Sequence, residues 1–221
     1  MQNKKALLLV SGGIDSPVAG KLAQDKGYLI EAIHFSQEPF TDNTPELKSL
    51  LLCKKLGLKE MIVVNAGLEL KEIAEKTYRE YYFVLLKRFI LKVSEKVARE
   101  KGIDYLITGE SLGQVSSQTL SNLNTINQST EIEILRPVIF MKKQEIIDLS
   151  NKMGFFETSK GKEMCDALAS ASPRTKSSEE IILKEEEKCN MNELVKSAVK
   201  KTRIEKTSRK IVLPQSVNMC K

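Results

Sequence analysis

Short apolar runs alternate with amphipathic stretches of helix length along most of the chain. Ala6–Val10 is an apolar run bounded by lysines and glycines, the pattern of a buried strand. Ser16–Lys26 predicts the helix that follows it. Leu29–Phe35 predicts a second strand, Pro45–Leu56 a second helix and Met61–Asn65 a third strand. From Leu68 to Glu100 apolar residues recur every three or four positions, among them Leu70, Ile73, Tyr81, Leu85, Phe89, Val93 and Val97. That is a helical period over a stretch long enough to be kinked or divided. Tyr105–Thr108 and Ile132–Leu135 predict a fourth and a fifth strand. A helix over Lys142–Lys152 ends at Met153-Gly154, where glycine gives the stop signal.

Strands alternating with helices imply a Rossmann-like α/β fold: a mostly parallel five-stranded sheet with helices on both faces. Ligands of such sheets bind at the carboxyl ends of the strands, near a change in strand order. The composition shifts after Gly161. Residues 166–178 are rich in Ala and Ser, and residues 179–188 are mostly Glu and Lys. Residues 196–210 hold seven Lys or Arg against one Glu. The chain therefore divides into an α/β unit at residues 1–165 and a C-terminal helical extension and tail at residues 166–221 that completes it. Residues 206–221 read as a strand or a loose tail.

Charge and cysteine use narrow the partners. The net charge of +6 suits a polyanion such as nucleic acid, although a solvated basic helix face explains residues 196–210 equally well. Leu7–Val10 is too short for the core of a secretion signal, and no apolar stretch spans a bilayer. A cytoplasmic protein without a membrane partner is expected. The four cysteines form no CxxC pair, so neither a compact zinc site nor a disulfide framework is indicated. No metal-ligating residue is assigned.

Two loops carry the candidate chemistry. Ser11-Gly12-Gly13-Ile14-Asp15-Ser16 joins the first strand to the first helix. Glycines permit a tight turn, and successive amides at a helix start form an anion nest. Pro17 fits the first helical turn, where a missing N–H costs nothing. The loop lacks both the Walker ending and the GxGxxG pattern. The second loop, GESLGQVSSQT from Gly109 to Thr119, follows the fourth strand. Its glycines allow close backbone approach, and its side-chain donors suit phosphate or ribose. By itself it is equally a polar loop capping a helix near Ser116.

SGGIDS resembles the pyrophosphate loop of ATP pyrophosphatases, which split ATP into AMP and pyrophosphate. GESLGQVSSQTLSNL, VLLKRFILKVSEKVA (residues 84–98) and ILRPVIFMKKQEII (residues 134–147) closely resemble the tRNA 4-thiouridine, or thiamine-biosynthesis, sulfurtransferase family. The likeness runs from about residue 5 to 205. It implies an adenine nucleotide alpha hydrolase-like fold, with residues 1–165 as its PP-loop domain. It implies ATP and Mg²⁺ as cofactors, adenylation of a tRNA uridine at position 8, and sulfur displacing AMP from C4. Transferred residue by residue, Ser11 to Ser16 hold the pyrophosphate end and Asp15 works through phosphate and Mg²⁺. Gly109 and Gln118 belong to the nucleotide site, and His34 and Phe35 stand near adenine. His34 is the sole histidine, and core packing or stacking suits it better than metal ligation. Lys87 matches the lysine of the family's LKR and ranks above Arg88 for phosphate or tRNA contact. Arg136, before Pro137, orients the C-terminal segment or binds phosphate.

Cys165 corresponds to the family's active-site cysteine, whose thiolate attacks sulfur donors and carries a persulfide. Asp166 stands where the family commonly has glycine, which puts the local geometry in doubt. Cys53 sits among leucines and reads as core. Cys189 and Cys220 resolve a persulfide or, with Cys165, hold an iron–sulfur cluster; spacing does not decide between them. On this reading the chain has neither the family's ferredoxin-like and THUMP region nor a rhodanese-like domain. The expected partners are tRNA, a sulfur donor (sulfide or a persulfide carrier protein), a separate RNA-binding subunit and a second copy in a homodimer. Two alternatives remain open: an ATP pyrophosphatase that activates another acceptor, and a non-catalytic nucleotide-sensing or RNA-binding subunit.

Overall fold

The computed structural model describes residues 4–160, 173–211 and 213. Strand β1 (Lys5–Leu9) lies at the centre of the sheet, with its three middle residues buried. A strand covered on both faces must be apolar at successive positions, as Ala6, Leu7 and Leu8 are. β1 pairs in parallel with β2 (Leu29–Ser36) on one side and with β4 (Tyr105–Ile107) on the other. β3 (Glu60–Asn65) extends the first side and β5 (Glu133–Leu135) the second, both parallel. The chain runs outward through β1, β2 and β3, then returns to place β4 on the other flank of β1. The change of direction therefore falls between β1 and β4, and their carboxyl ends open the crevice where such sheets bind ligands.

The sheet has six strands rather than the expected five. β6 (Thr202–Lys206) runs antiparallel along β3, giving the order β5-β4-β1-β2-β3-β6. Its TRIEK sequence is exposed at four of five positions, as an edge strand is. The apolar pattern that marks a buried strand is therefore missing there, and the segment reads as basic surface. Much of that charge is used within the fold: Lys201 meets Glu69, Arg203 meets Glu46, and Arg209 meets Glu205.

The stretch from Leu68 to Glu100 is divided, into α3 (Gly67–Lys76) and α4 (Tyr82–Lys101), by an extended break at Thr77 and Tyr78. One further helix, α5 (Leu120–Asn127), begins directly after the polar loop that ends at Thr119, four residues beyond the helix start read near Ser116. Thr119 caps it, its hydroxyl accepting from Asn122 N at 3.2 Å.

Alternation along β1 divides the core. Leu7 faces α4, α3 and the C-terminal α9 (Met191–Lys200), whereas Leu8 faces α1 (Asp15–Asp25) and α6 (Lys143–Lys152), after which comes the short α7 (Phe156–Ser159). Gly20 lets α1 lie directly on β1, because a Cβ there would stand 2.6 Å from Leu8 Cδ2. The C-terminal helices share the larger core: Ile182 of α8 (Glu179–Lys188) and Met191, Leu194, Val195 and Ala198 of α9 are all buried in it. A buried ion pair adds to the join. Arg88 Nε donates to Glu186 Oε1 at 2.7 Å, and Lys92 Nζ lies 3.3 Å from Glu186 Oε2. Arg88 is 1% exposed, so it faces neither solvent nor the crevice.

Candidate functional site

The loop after β1 is built by its glycines and serines. Gly12 has a φ of +80°, and a Cβ on it would stand 2.9 Å from Pro45 O in α2 (Thr44–Lys55). Only glycine combines that φ with that approach. Ser16 Oγ accepts from Ser11 N at 3.3 Å, and Ser11 Oγ accepts from Gly13 N at 3.4 Å. The loop thus closes on the first turn of α1, which has no side-chain cap. Amides and helix start together favour an anion. Gly109 brings the second loop against this turn. A Cβ there would lie 2.6 Å from Ser16 N and 2.8 Å from Asp15 C.

Between the two loops lies a cleft of about 580 Å³, a size typical of small-molecule sites. Ser11, Gly12, Gly13, Asp15 and Ser16 line one end, with Lys48 and Lys143 beside them. Phe35, Leu70, Leu86 and Ile90 line an apolar part. A polar, cationic end joined to an apolar one matches a ligand with a phosphate chain and a flat base. His34, Lys87, Gly109 and Gln118 also line the cleft.

Two of these side chains carry buried polar atoms without a hydrogen-bond partner: His34 Nε2 and Gln118 Oε1. The His34 tautomer follows from its other nitrogen. Nδ1 lies 2.9 Å from Val10 O, a carbonyl that only accepts, so Nδ1 carries the proton and Nε2 a lone pair. Ser49 Oγ is 3.1 Å from the same Nδ1. Burial drives the His34 pKa below its ordinary value, against the opposing pull of the Val10 bond and of Glu46. The ring is neutral at pH 7. Ser159 Oγ, also at the cleft, is likewise unpaired, so these atoms are open to a ligand's polar groups.

Lys143 is a residue that local sequence does not single out. It stands at the first position of α6, whose start is set by Glu145 Oε2 accepting from Lys142 N at 2.6 Å. Its Nζ reaches Asp15 Oδ1 at 2.8 Å and Oδ2 at 3.1 Å. The signal in the sequence is only a lysine at a helix start, which is common on any surface. Lys48 is a second such residue; its Nζ donates to Lys160 O at 2.9 Å.

Other expected residues stand elsewhere. Arg136 does not line the cleft: Nε donates to Glu110 and Nη2 to Asn127 Oδ1, both at 2.8 Å. Ile14 packs into the core on the α1 side of the sheet. Cys165, its neighbour Asp166 and Cys220 lie outside the described residues. Cys53 is buried, as expected of core, and burial pushes its thiol up to about 12. Cys189 is also buried, with burial and Glu186 pushing its thiol up to about 11. A thiol held in that range is a poor nucleophile at neutral pH. Among the described residues no group of three or more His, Cys, Asp or Glu is arranged to hold a metal ion. No helix among them is long and apolar enough to cross a membrane.

A mostly parallel sheet with a glycine-rich anion nest at its switch point defines an α/β domain of the doubly wound, nucleotide-binding class. The family model of the thiamine biosynthesis protein ThiI matches residues 1–191, and the chain belongs to that family. A probable tRNA sulfurtransferase of Alkaliphilus oremlandii is 42% identical over 212 residues, covering 93% of this chain and 54% of that protein. One of Coxiella burnetii is 38% identical over 204 residues, covering 89% and 52%. The chain spans about half the length of the curated relatives it matches. A solved 4-thiouridine synthetase–RNA complex with bound ATP superposes with a TM-score of 0.84 at 32% identity, covering 91% of this chain and 55% of that one. A U34-tRNA thiolase from Methanococcus maripaludis, at 18% identity and a TM-score of 0.52, shares the fold alone.

Proposed function

We propose that this chain is the ATP-cleaving part of a tRNA sulfurtransferase that makes 4-thiouridine at position 8. The observation that carries the reading is the cleft itself, which joins an anion nest to an apolar wall at the switch point of the sheet. The triphosphate lies over Ser11 to Ser16, and adenine lies toward His34 and Phe35. His34 Nε2 and Gln118 Oε1 supply acceptors for donor groups of the nucleotide.

Asp15 and Lys143 manage charge at the phosphate end. Paired with each other, they are neutral together. A single carboxylate beside bound phosphates suits Mg²⁺, which favours one or two carboxylates plus substrate oxygens. When bound, Mg²⁺ supplies charge neutralisation on the phosphates. Lys143, which lines the same end of the cleft, would offer its ammonium to phosphate oxygens.

The reaction needs a leaving group at C4 of uridine. The C4 oxygen attacks the α-phosphorus of ATP, and pyrophosphate departs. The resulting adenylate turns a poor leaving group into a good one. Sulfide adds at C4 directly and expels AMP; sulfur arriving as a Cys165 persulfide adds through its outer sulfur, expels AMP, and is freed as the thiocarbonyl when a second thiol attacks the Cys165 sulfur and leaves a disulfide there. The nest stabilises the departing pyrophosphate through groups set in place before the reaction. The protein works in the cytoplasm, as a homodimer on tRNA.

The test is pyrophosphate release from ATP with Mg²⁺ and sulfide, with and without unmodified tRNA, together with 4-thiouridine absorbance. AMP, pyrophosphate and thiolated tRNA appear together on this reading. Asp15→Ala abolishes all three, and Cys165→Ser abolishes thiolation from a persulfide donor while ATP binding persists. Pyrophosphate release driven by a small molecule and not by tRNA would assign a different acceptor.

A further inference from the structure

Glu110 follows the glycine that packs on the first turn of α1, and it is only 3% exposed. A buried carboxylate is costly unless its oxygens are paired. Three elements supply the pairs. Oε2 accepts from Arg136 Nε at 2.8 Å and from Thr108 Oγ1 at 3.0 Å. Oε1 lies 3.6 Å from Lys87 Nζ, on α4. Arg136 is itself held by Asn127 of α5. Burial alone would raise the Glu110 carboxyl, but Lys87 and Arg136 outweigh it and hold the group below the usual carboxylate range. Lys87 and Glu110 both line the cleft, whereas Arg136 lies behind them.

We propose that Glu110 is a positioning residue of the cleft: its carboxylate fixes the Lys87 ammonium at the cleft wall, and Arg136, Thr108 and Asn127 hold that carboxylate from behind. The proposal rests on the reading of this cleft as the ATP site. A lysine has a flexible four-carbon stem, and ordering it on a ligand costs side-chain entropy. An anion fixed beneath the ammonium removes much of that cost before the ligand arrives. The ammonium has three donors, and Glu110 takes one side of it, so the others stay open to an anionic ligand. Arg136 belongs to the same device without touching the nucleotide, because its guanidinium is committed to Glu110 and Asn127.

The test uses the full chain with Glu110→Gln, Lys87→Met and the double variant. The first readout is amine acylation at Lys87, followed peptide by peptide by mass spectrometry. Labelling of Lys87 rises several-fold in Glu110→Gln, while Lys21 and Lys184, far along the chain, label as before. The second readout is ATP affinity. Glu110→Gln weakens it about tenfold, the size expected for one charge-assisted contact, and the double variant is no weaker than Lys87→Met alone. Unchanged Lys87 labelling, or losses that add in the double variant, would overturn the proposal. If Glu110→Gln does not fold, Arg136→Gln removes the rear support with both cleft residues kept, and must raise Lys87 labelling in the same direction. Wild-type protein that fails to bind ATP overturns the nucleotide reading instead, and the labelling then decides the role of Glu110 by itself.

Discussion

Gly109→Ala tests the contact on which the whole site depends. The added methyl would stand 2.6 Å from Ser16 N, 2.8 Å from Asp15 C and 2.9 Å from Ser16 Cα, all of them backbone. Ordinary contact begins near 3.4 Å, so the two loops must separate by about 0.8 Å. Backbone at the start of α1 cannot rotate aside as a flexible side chain can. Overpacking of this kind costs about 1–3 kcal/mol. For a chain of 221 residues that lowers the melting temperature by about 2–12 °C. Function suffers more, because the displaced atoms are the anion nest. A shift approaching 1 Å at positioned groups costs about a hundredfold in rate. The assay pairs thermal melting with ATP titration and pyrophosphate release. Gly27→Ala is the control: its φ of +87° makes the substitution strained, but nothing stands within 4 Å of the new methyl. It should lower the melting temperature and leave ATP binding intact. If Gly109→Ala melts and binds ATP like the wild type, the second loop does not press on α1 and the site is wrongly built.

Three further outcomes are expected. Arg88→Met leaves Glu186 buried beside Lys92 alone and should cost about 3–5 kcal/mol in urea unfolding, with part recovered by adding Glu186→Leu. Lys143→Met removes the partner of Asp15 from an exposed pair, so melting should change little, while pyrophosphate release should fall by about a hundredfold or more. His34 has a folded pKa below its unfolded value of 6.5. Its stabilisation is present above pH 6.5 and is lost as pH falls from there through the folded value, so His34→Gln should flatten the fall of melting temperature across that window.

Much of the sheet is legible in the sequence for a local reason. Parallel strands buried on both faces must be apolar at successive positions, and the runs at Leu7, Ile33, Val63 and Leu106 have no other use. The edge strand β6 escapes that logic because it buries almost nothing of its own; its place is set by backbone pairing with β3. The start of α5 is legible only roughly: Ser, Asn and Thr serve loops and helix caps alike, so a cap is readable near Ser116, but Thr119 is the residue that caps the helix and Ile126 packs it into the core.

The site divides in the same way. The nest is written in six consecutive residues, because a glycine with positive φ beside a helix start is a property of the local chain. The fates of Lys87 and Arg88 are not local. They are adjacent on α4, so they point about 100° apart, and only the docking of α8 decides that Lys87 meets the cleft and Arg88 is buried against Glu186. Likewise Lys143 and Asp15 are 128 positions apart, and Arg136 stays out of the cleft lining because its guanidinium is bonded to Glu110 and Asn127. Sequence by itself determined the parallel strands and the glycine loop, since burial on two faces and a tight glycine turn constrain neighbouring residues. Tertiary structure alone decided which charges face the cleft and which are buried, since a charge is placed by its partners and those partners come from distant parts of the chain.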